Sequence, residues 1–197
     1  MLRVALTGGI ATGKSYVLER FRQAGVPCLD ADLLARGVMA PGTEATQAIA
    51  ATFGAGVMGT GGEIDRQALG AVVFGDEPAR HALEAIVHPA VYRSITAGLR
   101  AFELMGGSRL AIVDVPLLFE TGHEPDFDRI VVTACPLELQ VRRLVERGLT
   151  EGEARRRIDA QLPTEMKVHK ADFVIRTDGS FEETDRQIRD VLQRLES

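Results

Sequence analysis

Short apolar runs alternate along this chain with longer stretches whose apolar residues recur every three or four positions. Residues 2–7 alternate, with Arg3 on the outward side, and residues 26–30 form a second short run. Residues 110–115 (LAIVDV) and 130–134 are nearly continuous apolar stretches, as in strands covered on both faces, and 172–176 is a fifth candidate. Between them, residues 14–24 place Val17, Leu18, Phe21 and Ala24 on one helical stripe, with Gly25 following as a stop signal. Thr150 with Glu153 marks the start of a helix running to about residue 160. Ser180 with Glu183 marks another, whose stripe is Ile188, Val191, Leu192 and Leu195. Strands alternating with helices predict an α/β fold built on a parallel sheet.

Residues 36–109 break the alternation. They carry little strand signal and several helical patterns, interrupted by the glycine-rich turn 59–62. Asp65, Asp76 and His88-Pro89 read as helix starts, with Pro89 at a first helical position. The stretch is too long for a simple connection between strands and reads as a helical insertion carrying a substrate lobe. The core is then expected from residues 1–35 and 110–197.

The first strand pattern runs directly into Gly8-Gly9-Ile10-Ala11-Thr12-Gly13-Lys14-Ser15, which satisfies G-x-x-x-x-G-K-[ST] and opens a helix pattern. Glycines let backbone N–H groups turn toward phosphate oxygens, and the helix N-terminus adds a favourable dipole. Lys14 can reach the β- and γ-phosphates and the Ser15 hydroxyl can ligate Mg²⁺. Gly8, Gly9, Ala11, Thr12, Gly13, Lys14, Ser15 and the adjoining Tyr16 are therefore the expected nucleotide site.

Parallel sheets bind ligands at the carboxyl ends of their strands, so the acids there are candidates. Asp30 and Asp32 close the second run: Asp30 reads partly as a helix cap, and Asp32 as the residue that orients or deprotonates an attacking hydroxyl. Asp114 closes the third strand, with a role at the Mg²⁺ water shell. Beyond it, Pro116 and Leu117 read as a ligand wall, although packing accounts equally well for Leu117 and Leu118. Six arginines fall between residues 142 and 157 among interleaved glutamates. They suit either a solvated helical face or a lid over ATP; in the lid reading, Arg143 and Arg147, four apart, share a face. His88 is either structural or a substrate contact in the insertion.

Composition narrows the class. The 197 residues are 45% hydrophobic, enough for one sizeable core, and the net charge of −5 gives no general pull toward nucleic acid or an anionic membrane. Lysine occurs only at 14, 167 and 170, and none sits in a guanine-reading setting, so the GTPase branch is poorly supported. Cys28 and Cys135 lie apart in apolar runs and read as two thiols in a reducing compartment. Without a secretory leader or a membrane-length apolar run, the chain is expected in the cytoplasm, without nucleic-acid or membrane partners, as a monomer or weak homo-oligomer.

Several blocks in order make the chain resemble the dephospho-coenzyme A kinase family from Val4 to about Ile188. They are LTGGIATGKS at 6–15, VPCLDADLLAR at 26–36, IVHPAV at 86–91, DVPLLFE at 114–120, QVRRLVERGLT at 140–150, RIDAQ at 157–161 and ADFVIRTDG at 171–179. The resemblance implies a five-stranded parallel nucleotide core, a helical coenzyme-A-binding lobe at 36–109 and a lid at 138–162. It also implies transfer of the ATP γ-phosphoryl group, with Mg²⁺, to the ribose 3′-hydroxyl of dephospho-coenzyme A. Asp32 matches the family's proposed general base, and Arg143 and Arg147 match lid positions that touch ATP. The chain departs from the family pattern at Ala11 and Thr12, usually Gly and Ser, and at Thr177, commonly Asn. The rival readings are a P-loop kinase for another nucleoside or nucleotide and a nucleotide-dependent switch protein.

Overall fold

The computed structural model describes all residues, Met1–Ser197. The order of elements is β1 (Leu2–Gly8), α1 (Lys14–Gln23), β2 (Cys28–Asp30), α2 (Ala31–Val38), α3 (Glu44–Phe53), α4 (Arg66–Val73) and α5 (Glu77–Met105). Then follow β3 (Leu110–Asp114), β4 (Arg129–Ala134), α6 (Leu137–Glu146), α7 (Glu151–Asp159), α8 (Thr164–His169), β5 (Phe173–Arg176) and α9 (Phe181–Glu196). All five expected strands are present. They form one parallel sheet in the order β2-β3-β1-β4-β5.

The chain divides into two compact units, Met1–Asp30 with Ala101–Ser197 and Ala31–Arg100. In the first, β1 is the central strand, and Val4, Ala5 and Leu6 are fully buried. Val4 and Leu6 pack with Val17, Leu18 and Phe21 of α1, Leu110 and Ile112 of β3, and Ile188, Val191 and Leu195 of α9. The apolar stripes read from the sequence of α1 and α9 are the buried faces except at Ala24, which is exposed at the C-cap of α1, and Leu192, which is only partly buried. Both capping boxes form: the Thr150 and Ser180 hydroxyls accept the N–H groups of Glu153 and Glu183, whose carboxylates reach back.

The second unit contains no strand, only a β-bridge between Met58 and Ile64 around the glycine turn. Ile49, Val57, Ile64 and Leu69 form its centre, with Phe53, Leu83 and Ile86 packed around them. Asp65 caps α4 through Gln67 and Ala68, and Asp76 accepts the Ala79 N–H at the start of α5.

His88-Pro89 is not a helix start. Pro89 lies inside the continuous helix α5. The missing Pro89 N–H orphans the Ala85 carbonyl, but both residues are exposed and water can take that acceptor. The sequence rule for proline failed because a 29-residue helix absorbs the roughly 3 kcal/mol cost of one interior proline when the orphaned carbonyl faces solvent. The helix at Asp32 begins at Ala31, directly after Asp30. None of the helices is long and apolar enough to cross a membrane.

Candidate active site

β1 ends at Gly8 and the chain turns tightly into α1. Gly8 is dictated by close approach: a Cβ there would sit 2.2 Å from Thr133 Oγ1 and 2.7 Å from the Thr133 carbonyl oxygen. Gly13 is dictated by conformation, with φ 86° at the N-cap of α1 and no side chain capping the helix. The first amides of α1 are therefore free to face an anion. Ala11 holds φ 60°, the one non-glycine residue on the positive side. It does so while packed against Val141, Leu144 and Ala154.

The carbonyls of this turn are individually restrained. Thr12 Oγ1 donates to the Gly9 carbonyl at 2.7 Å and meets Thr133 Oγ1 at 2.7 Å. Arg143 Nη1 donates to the Ala11 carbonyl at 3.0 Å. Thr177 Oγ1 donates to the Thr12 carbonyl at 2.7 Å while Arg143 donates to both oxygens of Thr177. Thr177, read from the sequence only as a departure, is thus a buried brace under the nucleotide loop. Arg143 on α6 is bound into the same brace, whereas Arg147 is exposed at the C-cap of α6.

Lys14 Nζ contacts both carboxylate oxygens of Asp114, at 2.5 and 2.7 Å. Leu6 is directly opposite Asp114 in the register of β1 and β3, and Asp30 pairs with Asp114 across β2 and β3. Three expected functional elements, the loop lysine and two strand-end acids, therefore gather at the carboxyl edge of the sheet. Ser15 is exposed at the start of α1. Its hydroxyl and the Asp114 carboxylate are hard oxygen donors in a set too small to enclose an ion, which suits Mg²⁺ carried with phosphate and water. No cluster of three or more His, Cys, Asp or Glu side chains offers an all-protein metal cage.

The Tyr16 hydroxyl donates to Asp185 at 2.8 Å, Arg20 pairs with the same carboxylate, and the Tyr16 ring lies 4.9 Å from Phe181. Burial, followed by the Asp185 hydrogen bond and charge, pushes the Tyr16 phenol up. Beyond β3, Leu118 is fully buried and belongs to the packing, while Leu117 is 41% exposed and Pro116 half-buried.

Sequence reasoning missed the contacts behind the loop. The Glu120 carboxylate lies 2.7 Å from the fully buried Lys167 ammonium and accepts the Leu162 N–H at 2.9 Å. Ile10 N–H donates to Gln161 Oε1 at 2.8 Å. A cavity of about 330 Å³ is lined by Gly9, Gln140, Ile158, Gln161 and Thr164, and Gln140 Oε1 is buried there without a partner. No local pattern signals these pairs.

Asp32 and His88 belong to the helical unit. Asp32 is exposed in the first turn of α2, and His88 is half-buried in α5. Within that unit a groove of about 440 Å³ runs between Leu34, Val38, Thr43, Ala90, Arg93 and Ser94.

A glycine-dictated turn, a lysine on a neighbouring strand-end acid and open helix amides are the parts of a phosphate-transfer site. The family model described as dephospho-CoA kinase matches residues 2–183. The chain belongs to the dephospho-CoA kinase family. It is 46% identical over 197 residues to the dephospho-CoA kinase of Geobacillus kaustophilus, covering 100% of this chain and 98% of the relative. Among solved structures it resembles TT1252 from Thermus thermophilus at TM-score 0.85 and 36% identity, covering 100% of this chain and 98% of the other. It also resembles the dephospho-CoA kinase from Campylobacter jejuni at TM-score 0.75 and 27% identity, covering 98% and 96%. The function is that of a dephospho-CoA kinase, a P-loop kinase of coenzyme A biosynthesis that uses ATP on a small-molecule substrate.

Proposed function

We propose that this kinase transfers the ATP γ-phosphoryl group directly to the ribose 3′-hydroxyl of dephospho-coenzyme A, without a covalent enzyme intermediate. The observation that carries the reading is the Lys14–Asp114 contact beside uncapped amides of α1. A cation and a row of N–H donors converge where polyphosphate charge must be held. Lys14 neutralises charge on the terminal phosphates, and the Gly13, Lys14 and Ser15 amides hold the phosphate behind them. Gly8, Gly9, Ala11 and Thr12 shape the loop that presents these amides, and Tyr16 and Arg147 border the nucleotide site. Ser15 and Asp114 hold Mg²⁺, which when bound neutralises charge on the transferring phosphates.

The helical unit is the acceptor lobe, with His88 as an acceptor contact and Asp32 as the base; Pro116 and Leu117, which follow β3, are further acceptor contacts. The 3′-oxygen forms its bond to the γ-phosphorus as the bond to the β,γ-bridging oxygen breaks. The hydroxyl proton passes to the Asp32 carboxylate, and ADP carries away the electron pair. Arg143, at the root of a lid spanning 138–162, keeps the loop in the shape this transfer needs. Lid closure keeps water from competing with the hydroxyl. The chain acts in the cytoplasm as a monomer or weak homo-oligomer.

The test is ADP release from Mg·ATP with and without dephospho-coenzyme A, with AMP and adenosine as competing acceptors. Stimulation by dephospho-coenzyme A alone, giving a 3′-phosphorylated product, is expected. Turnover with another acceptor and none with dephospho-coenzyme A would keep the phosphoryl transfer and overturn the acceptor.

A further inference from the structure

Gln161 follows the C-cap residue of α7, Ala160, and reaches back to the nucleotide loop. Its side-chain oxygen accepts the Ile10 N–H at 2.8 Å. A backbone N–H can only donate, so the atom facing it must be the carbonyl oxygen of the Gln161 amide rather than its NH₂. Gln161 is itself held on both sides. Its own N–H donates to the Ile158 carbonyl at the end of α7. The next N–H, of Leu162, donates to Glu120, which is tied to the fully buried Lys167.

The other fixed points of the loop are the Gly9 carbonyl, held by Thr12 Oγ1, the Ala11 carbonyl, held by Arg143 of α6, and the Thr12 carbonyl, held by Thr177. Ile10 is therefore the point where the strand side of the loop is attached to the end of α7. It also directly precedes Ala11, the residue of the turn that holds a positive φ.

From this juxtaposition we infer that Gln161 is a positioning residue for phosphoryl transfer. By accepting the Ile10 N–H it couples the strand side of the nucleotide loop to the C-terminal end of α7, so that loop shape follows lid position. The inference rests on the kinase reading above, in which α7 belongs to the lid. The amides that cradle the α- and β-phosphates lie on the helix side of the loop, in the first turn of α1, and the Thr12 carbonyl just before them is held by Thr177. Loss of the Gln161 acceptor leaves those contacts in place and releases only the tie between Ile10 and the end of α7. Its effect should therefore fall on the transfer step and spare the binding of ADP.

The experiment compares the full-length wild-type chain with Gln161→Met, which keeps length and volume without an acceptor, and with Gln161→Ala. Four quantities are measured: kcat and KM for both substrates, ADP dissociation by calorimetry, ATP hydrolysis without acceptor, and the thermal midpoint. In both variants kcat is expected to fall about tenfold while the ADP dissociation constant stays within about twofold. Hydrolysis without acceptor should rise about tenfold as a fraction of transfer. A parallel loss of kcat and ADP affinity would overturn the proposal, because the bond would then support the loop as a whole. A lowered midpoint with unchanged kcat and unchanged hydrolysis fraction would overturn it too, leaving a purely structural bond. Absence of acceptor-dependent ADP formation in the wild-type chain would instead bring down the kinase reading and this inference with it.

Discussion

Removing Glu120 should damage the fold far more than removing its partner Lys167. The two charges are 2.7 Å apart, and their side chains are 20% and 0% exposed. At an effective dielectric constant of about 20 their attraction is of order 6 kcal/mol, against a desolvation penalty of several kcal/mol for each ion. The net value of the pair is thus small, but the two single deletions are not equivalent. Glu120→Ala leaves an ammonium with no solvent exposure and only the Pro116 carbonyl, 3.4 Å away, as a remaining acceptor. That is the case of an uncompensated buried charge, and the expected loss is about 3–5 kcal/mol. Lys167→Met removes the buried charge, fills its volume and leaves a carboxylate that water can reach and that still accepts the Leu162 N–H. Its expected cost is about 1–2 kcal/mol. The double variant should be no worse than Glu120→Ala alone, giving a coupling of more than about 1 kcal/mol. Urea unfolding followed by circular dichroism measures all three as midpoint shifts at constant slope. A Lys167→Met loss equal to or larger than that of Glu120→Ala, or strict additivity in the double variant, would refute the reasoning.

Asp32→Asn should lower kcat by a factor of about 100 or more with ATP affinity unchanged, because an amide cannot take the hydroxyl proton; equal losses in both would remove Asp32 from the base role. Asp185 is held below the usual carboxylate range by the Arg20 hydrogen bond, against a smaller opposing effect of burial, and then by the Tyr16 hydroxyl. A carboxyl whose pKa is depressed by folding stabilises above its unfolded value near 3.8 and loses that contribution as pH falls through the folded value. Thermal midpoints measured from pH 6 down to pH 2.5 should therefore fall more steeply for the wild type than for Asp185→Asn; parallel curves would contradict this. Burial pushes the Cys28 thiol up to about 11. Iodoacetamide at pH 8 should accordingly leave Cys28 unmodified in the native chain and alkylate it in urea, which peptide mass mapping can follow.

Much of the site was legible because its chemistry is written locally. Gly8, Gly13, Lys14 and Ser15 are consecutive enough that one turn must bring them together, and Asp114 closes a short apolar run of the kind that strands covered on both faces use. Both capping boxes span four residues, so their partners were visible side by side. The Gln161–Ile10, Glu120–Lys167 and Arg143–Thr177 contacts were not legible, since each joins side chains whose separation is fixed by tertiary packing alone. Thr177 illustrates the difference: its identity stood out in the sequence, yet its role under the Thr12 carbonyl depends on β5 lying next to β4. Pro89 misled for the opposite reason. A strong local rule was outweighed by exposure of the affected carbonyl and by the helical run on either side.

The central strand is also the first to be synthesised. Leu2 is aligned with Leu110 and Val4 with Arg129, so β1 has no partner until roughly a hundred further residues have been made. At about 5–20 residues per second, the N-terminal strand waits on the order of 5–20 s on the ribosome as an unpaired apolar segment. The helical unit, with a core of its own drawn from residues 39–87, is fully synthesised within that interval. The nucleotide loop, which follows the earliest of the five strands, is therefore among the last parts of the molecule to take shape. A nascent chain stalled before β3 has no ATP site at all.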